Sequence, residues 1–397
     1  MTRRDFVKIG AAVFTAAGAA ESLTEAGEGA TPQTALQSEH RLEWSAKRIW
    51  ATPGGLEPNS YVYFRRAFSL NSVPAGDVPV RVSASTEYIL YLNGQKAGFG
   101  PPISDPRRHY FDLRNVQPYL RKGPNVIAAR VYSLATATED TKKERGWFIL
   151  QGCVRDGSRE VSVDTGPEWK RLVSDVWKRA APRQSFQLHY VEIADFRKEP
   201  VGWNEAGFDD SQWLPALELP EHDIENLVRR GMGEIDEVFI PAASIVRVAE
   251  VQRQAHFQIP ALQVNGENFQ PIQTIKLENL SSLQGNRPAV MVETPVEGRD
   301  AAMVLDMGRM VLGCPSFEAE GGAGVVVDVS ISEYLKDGRV LASREITPTG
   351  RTNLTDRITL REGKTAWQRS DYNGYRYVQV TIRGAKSPLT IRKVGTA

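Results

Sequence analysis

Apolar residues at every second position dominate the strongest segments of this chain, and that spacing confines the fold to sheets. Leu354 to Leu360 and Tyr375-Arg376-Tyr377-Val378-Gln379-Val380-Thr381-Ile382 both alternate in this way, as a pleated strand does when it turns one face to a core. Tyr61 to Leu70 has the aromatic and β-branched enrichment of a sheet strand. Asn125 to Val131, Trp147 to Leu150, Met303 to Gly308 and Val325 to Ile331 read as further strands. Tyr88 to Leu92 runs into Asn93-Gly94, a hairpin signal because both central positions of that turn want positive φ. Helical periodicity is scarce, with a turn or two expected over Ile224 to Arg230. The stretch from Pro241 to Asn286 is harder to read, and Ala255-His256-Phe257-Gln258-Ile259 suggests strands there. Two successive strand-rich stretches predict an all-β protein of two tandem β-sandwiches.

With 397 residues the chain is long enough for two or three cores. Its 49 Lys and Arg nearly balance 48 Asp and Glu, so no basic stripe points to nucleic acid. Arg3 and Arg4 precede an apolar run from Ile9 to Ala20 that is too short to span a bilayer. This is the pattern of a twin-arginine export signal. It predicts a periplasmic or extracellular mature protein, with no membrane partner once the signal is cleaved. The expected segments are the signal over 1–20, a disordered linker over 21–37, a first sandwich over 38–240, an extended connection over 241–300 and a second sandwich over 301–397. Cys153 and Cys314 lie in apolar strand contexts and read as buried free thiols. The five His residues have no ligand spacing, so no metal site is expected.

Gly207-Phe208-Asp209-Asp210-Ser211-Gln212-Trp213 is a compact turn signature. Gly207 frees the backbone, the aspartates accept backbone N–H groups, and Phe208 and Trp213 anchor the turn on an apolar face. Trp44, Trp50, Trp169, Trp177, Trp203 and Trp213 read as core or turn anchors. Sugar sites combine an aromatic platform with a few fixed polar groups. The loop from Gly98 to Tyr110 offers such groups, and Asp105, Arg107 and Tyr110, with Trp147 as platform, are the carbohydrate-binding candidates. Competing with that reading is a packed connector whose arginines pair with nearby carboxylates.

These segments together resemble the N-terminal part of bacterial α-L-rhamnosidases, inverting glycoside hydrolases. The first half of the resemblance rests on Phe64-Arg65-Arg66-Ala67-Phe68, Tyr91-Leu92-Asn93-Gly94, Asn125-Val126-Ile127, Gly202-Trp203 and Gly207 to Trp213. The second rests on Leu305-Asp306-Met307-Gly308, Ser332-Glu333-Tyr334-Leu335, Thr355-Asp356-Arg357 and Gly374-Tyr375-Arg376-Tyr377-Val378. The resemblance implies a jelly-roll or galactose-binding-like sandwich followed by a concanavalin-like one. It also implies a rhamnose-containing glycan as partner and, in some members, calcium; the residues themselves call for no cofactor. In the family an (α/α) barrel carrying the catalytic carboxylates comes next, and no segment here answers to it. Inverting hydrolysis needs an acid and a base about 6.5–9.5 Å apart. Asp209, Asp210, Glu333 and Asp356 are candidates by count alone, so no catalytic residue is assigned. The expectation is a non-catalytic binding or accessory protein, alone or beside a separate catalytic subunit. The alternative is a truncated or split α-L-rhamnosidase.

Overall fold

Alternation along the Ser60–Leu70 strand sends Val62 and Phe64 into one core and Tyr61 and Tyr63 into another. That strand pairs over its whole length with Gly123–Ser133. The two strands centre a six-stranded sheet completed by Leu214–Pro215, Lys170–Val173, Glu87–Leu92 and Gln95–Gly100. A seven-stranded sheet faces it, built around Phe148–Asp156, Pro79–Ala84 and His109–Asn115. Between them lie Trp50, Phe64, Leu90, Ile127, Phe148 and Trp169, with Phe148 stacked on Phe64 at 5.7 Å. These features come from a computed structural model that describes residues 43–220, 227–229, 237–284, 289–292, 298–347 and 350–397.

The second sandwich pairs two further six-stranded sheets. One runs Ile193–Asp195, Thr355–Thr359, Val326–Ser332, Asn373–Arg383, Arg299–Gly313, Ser244–Gln252. The other is built on Leu389–Thr396, flanked by Ala289–Val292 and Pro315–Glu320. Its core is continuous with the outer face of the first sandwich, so that Tyr61, Tyr63, Trp177 and Trp203 pack in one cluster with Phe317, Trp367 and Val380. Trp44–Ala397 is accordingly one compact unit. Among the described residues the one α-helix is the short Pro260–Gly266, and no helix is long and apolar enough to cross a membrane.

Several expectations need correction. The 241–300 stretch is more than a connection, because Ser244–Gln252 pairs with Arg299–Gly313 as an edge of the second sandwich. Ile193–Asp195, assigned by sequence to the first sandwich, joins Thr355–Thr359 in parallel. Ala255 to Ile259 forms no strand. Of Ile224 to Arg230, the described part Leu227–Arg229 is a strand parallel to His109–Asn115 rather than helix. Cys153 is exposed, since alternation along Phe148–Asp156 turns it outward while Val154 points inward; Cys314 is half-buried, and both are free thiols. Asn93 and Gly94 both hold positive φ, at 50° and 83°, as the hairpin requires. Asp209 accepts the Ser211 N–H at 2.9 Å as a turn former, whereas Asp210 pairs with Lys170 at 2.6 Å and with Arg65.

Candidate functional site

Two loops meet at one end of the first sandwich. The first leaves the Gln95–Gly100 strand and runs through Pro101, Pro102 and Asp105 into His109–Asn115. Gly100 is needed at its start, because a Cβ there would collide with the Asp112 carboxylate. That carboxylate accepts the Tyr88 hydroxyl at 2.6 Å. The second loop joins Gly123–Ser133 to Phe148–Asp156. Asp105 ties the loops together: its carboxylate accepts Arg107 Nε at 2.8 Å and Lys142 Nζ at 2.8 Å. The Arg107 guanidinium, then the Lys142 ammonium, hold this carboxyl well below the usual carboxylate range.

Behind this clamp lies a relay of short contacts. Ser104 Oγ is 3.1 Å from His109 Nδ1, and His109 Nε2 is 3.1 Å from Glu144 Oε2. The same Glu144 oxygen accepts Trp147 Nε1 at 3.3 Å. Between the loops is a small cleft walled by Pro101, Pro102, Ile103, Leu134 and Ala135. Ser85, Thr86, Ser104, Thr141, Lys142 and Glu144 supply its polar lining. Ala135 holds φ of 44° at the wall, a conformation that a non-glycine residue keeps only when its surroundings impose it.

The four candidates fare unequally. Asp105 and Arg107 pair with each other beside the cleft, and Arg107 is 82% exposed. Their pairing is the one expected of a packed connector, although the connector borders a cleft. Tyr110 is half-buried on the face opposite His109 and Phe111, and its carbonyl accepts Ser83 Oγ at 2.7 Å. Trp147 is corrected as a platform: it is 2% exposed, with Arg48 over its ring at 4.2 Å and His109 against its edge. None of the four lines the cleft. The lining residues Thr141, Lys142 and Glu144 escaped sequence reasoning. Their signal was the polar run Ala135 to Arg145 between two strands, long enough to be a functional loop rather than a tight turn.

Of the four carboxylates counted as acid/base candidates, Asp209, Asp210 and Asp356 are otherwise engaged. Glu333 is exposed, whereas Asp356 is buried and accepts the Glu192 N–H at 2.7 Å while pairing with Arg369. The family's calcium does not fit this cleft. Calcium takes six to eight oxygens, several from carboxylates, whereas Asp105 is saturated by two cations and Glu144 is shared by His109 and Trp147. Among the described residues no group of three or more His, Cys, Asp or Glu side chains is arranged to hold a metal.

Two sandwiches sharing a core, the first with a loop-built cleft, define an all-β tandem. Residues 76–236 match the alpha-L-rhamnosidase N-terminal domain, and residues 297–395 match the bacterial alpha-L-rhamnosidase concanavalin-like domain. The chain thus resembles, in domain order and in fold, the non-catalytic N-terminal region of bacterial α-L-rhamnosidases. A Streptomyces avermitilis alpha-L-rhamnosidase is 24% identical over 308 residues, which are 74% of this chain and 24% of that protein. The structure of a GH78 family rhamnosidase of Bacillus sp. GL1 has a TM-score of 0.71 at 17% identity, covering 89% of this chain and 55% of that one. The Streptomyces avermitilis enzyme complexed with L-rhamnose has a TM-score of 0.52 at 21% identity, covering 86% and 29%. The chain therefore spans about a quarter of its curated relative's length and just over half of the Bacillus enzyme's.

Proposed function

We propose that the protein is an exported carbohydrate-binding accessory module, non-catalytic by itself, that takes a rhamnose-containing glycan. The observation that carries this reading is the cleft between the two loops, where Ser104, Thr141, Lys142 and Glu144 present polar groups against a proline-rich wall. A small site without a free aromatic face binds weakly, with a Kd for L-rhamnose on the order of 1 mM, or about 4 kcal/mol. Titration calorimetry with L-rhamnose and rhamnosyl oligosaccharides tests it. Glu144→Gln and Lys142→Ala are expected to weaken binding at least several-fold, and Asp105→Ala to weaken it by freeing the Lys142 loop. No heat from any of these sugars, or full affinity in all three variants, would sink the site. Aryl α-L-rhamnosides are expected to stay intact, because Asp356 is held in a buried ion pair, Asp210 is paired with Lys170 and Asp209 is spent on its turn. Turnover above background would refute that half of the proposal.

A second reading is favoured by the quarter-length match to the Streptomyces protein. On that reading these sandwiches serve an α-L-rhamnosidase whose catalytic barrel is joined to them or supplied by a separate subunit. Activity recovered on adding such a barrel would support it.

For export, we propose the twin-arginine route for the segment carrying Arg3 and Arg4, which lies outside the described residues. Replacing both by lysine is expected to leave the precursor in the cytoplasm, because the receptor reads the arginine pair rather than bulk charge. Undiminished export of the double variant would contradict this route.

A further inference from the structure

Alternation in the second sandwich leaves an outer sheet face that is charged yet buried. Val327, Val329 and Ile331 point into the core, so Asp328 and Ser330 point away from it, and both are fully buried. Beside them Asp300, Arg357 and Arg383 are also buried. Their cover is the segment 253–275, which leaves the edge strand Ser244–Gln252 and crosses this face through the Pro260–Gly266 helix.

Polar contacts hold the segment down at several points. Arg357 donates to the Phe257 carbonyl at 3.1 Å and to Gln263 Oε1 at 2.8 Å. Asn265 Oδ1 accepts the Ala342 N–H at 2.9 Å. At the far end Glu250 accepts the Gln273 and Ile275 N–H groups at 2.9 and 3.0 Å. Arg253 pairs with Asp300 at 2.8 Å, and Arg339 donates to the Glu267 carbonyl.

Glu267 is the weak point of this arrangement. Its side chain is 1% exposed and meets Arg383 at 2.5 Å, yet neither carboxylate oxygen has a well-aligned hydrogen bond, nor do both terminal nitrogens of Arg383. Arg383 is already committed to Asp328 through Nε at 2.7 Å, and Arg357 meets the same carboxylate. Asp328 and Asp300 add negative charge on the sheet side. A buried carboxylate in this position is costly when ionised.

We propose that residues 253–275 form a strap, clamped over the sheet face in mild acid and loosened toward neutral pH, with Glu267 as the responding group. Burial pushes the Glu267 carboxyl up to about 7, ahead of the opposing pull of Arg383, while Asp328 and Asp300 raise it further. In the lifted strap the same carboxyl titrates near its ordinary 4.5. The closed state therefore binds the proton more tightly. Its stability is full below about 4.5 and is lost as pH rises to about 7, so the open-to-closed ratio grows roughly thirty-fold between about pH 5 and pH 7. His256 on the strap works in the opposite sense, because burial lowers it.

Hydrogen exchange of the whole protein, corrected for intrinsic rates from pH 5 to pH 8, tests the device. Strap amides are expected to lose protection roughly thirty-fold between about pH 5 and pH 7, relative to amides of Arg299–Gly313. E267Q is expected to flatten that profile, and H256Q to keep it. N265A, which removes one attachment, should open the strap more at every pH while leaving the slope unchanged. A flat wild-type profile, a slope that survives in E267Q, or an N265A strap no more open than wild type would each overturn the proposal.

Discussion

Replacing Glu192 by alanine is expected to cost about 3–5 kcal/mol of stability, because it orphans three buried donors at the seam between the sandwiches. Glu192 Oε2 accepts the indole N–H of Trp177 at 3.0 Å and of Trp367 at 2.8 Å. Its Oε1 accepts the Ser370 N–H at 2.7 Å. Trp177 stacks on Tyr61 of the first sandwich at 4.2 Å, whereas Trp367 belongs to the Lys364–Gln368 strand of the second. One carboxylate thus joins both halves of a shared core. Relief of repulsion on Asp356 offsets part of the loss, since the two acids adjoin. Urea titration reads the effect, and a loss below about 1 kcal/mol would show that the seam does not depend on this latch. Wild type is expected to unfold in one transition, as a continuous core requires. Asp356 adds a pH dependence, because burial pushes its carboxyl above its ordinary range against the pull of Arg369, with Glu192 raising it further. The stability tied to its protonated form is present in acid, below the ordinary carboxylate range, and lost as pH rises through the raised value. Removing Glu192 takes away one cause of that shift, so this part of the pH dependence should shrink in the variant.

Features written in local chemistry are legible in the sequence itself. Asn93-Gly94 announces its turn because both residues tolerate positive φ, and the long strands announce themselves by alternation. Features that depend on partners distant in sequence are not. Ile193–Asp195 is three residues long, too short to show a period, and its partner lies more than 150 residues away at Thr355–Thr359. Alternation alone would place Asp328 and Arg383 in water, yet the strap buries them. Trp147 reads as a platform because nothing in its neighbourhood announces that Arg48 covers its ring. The cleft itself arises where Asp105 reaches Lys142, 37 residues onward. That contact needs the loop ends to be fixed by the sheets first, so only the Gly98 to Tyr110 half of the site can be read locally.

Arg65→Ala is expected to unfold the tract that made the sequence distinctive, at a cost of about 3–5 kcal/mol. Arg65 is 1% exposed and lies within the Ser60–Leu70 strand. Its Nε donates to the Trp203 carbonyl at 3.0 Å and one terminal nitrogen to the Glu205 carbonyl at 3.0 Å. The other pairs with Asp210, and the guanidinium lies 5.3 Å from the Phe208 ring centre. Arg65 is therefore the buried anchor of the turn that places Trp213 against Phe208 at 5.7 Å, beside Lys170 on Asp210 and the Trp213 N–H on the Asp210 carbonyl at 3.0 Å. Alanine would leave the Trp203 carbonyl without its arginine donor, the Glu205 carbonyl with the Phe208 N–H alone at 3.3 Å, and Asp210 with Lys170 as its remaining cation. Lysine would restore the charge without the planar fork, and is expected to recover less than half of the loss. Denaturant titration followed by tryptophan fluorescence reads both effects, since Trp203 and Trp213 would gain water contact as the tract loosens. If Arg65→Lys matched wild type, the fork geometry would be irrelevant and charge alone would hold the turn. If Arg65→Ala lost under about 1 kcal/mol, the tract would be held by its aromatic contacts instead.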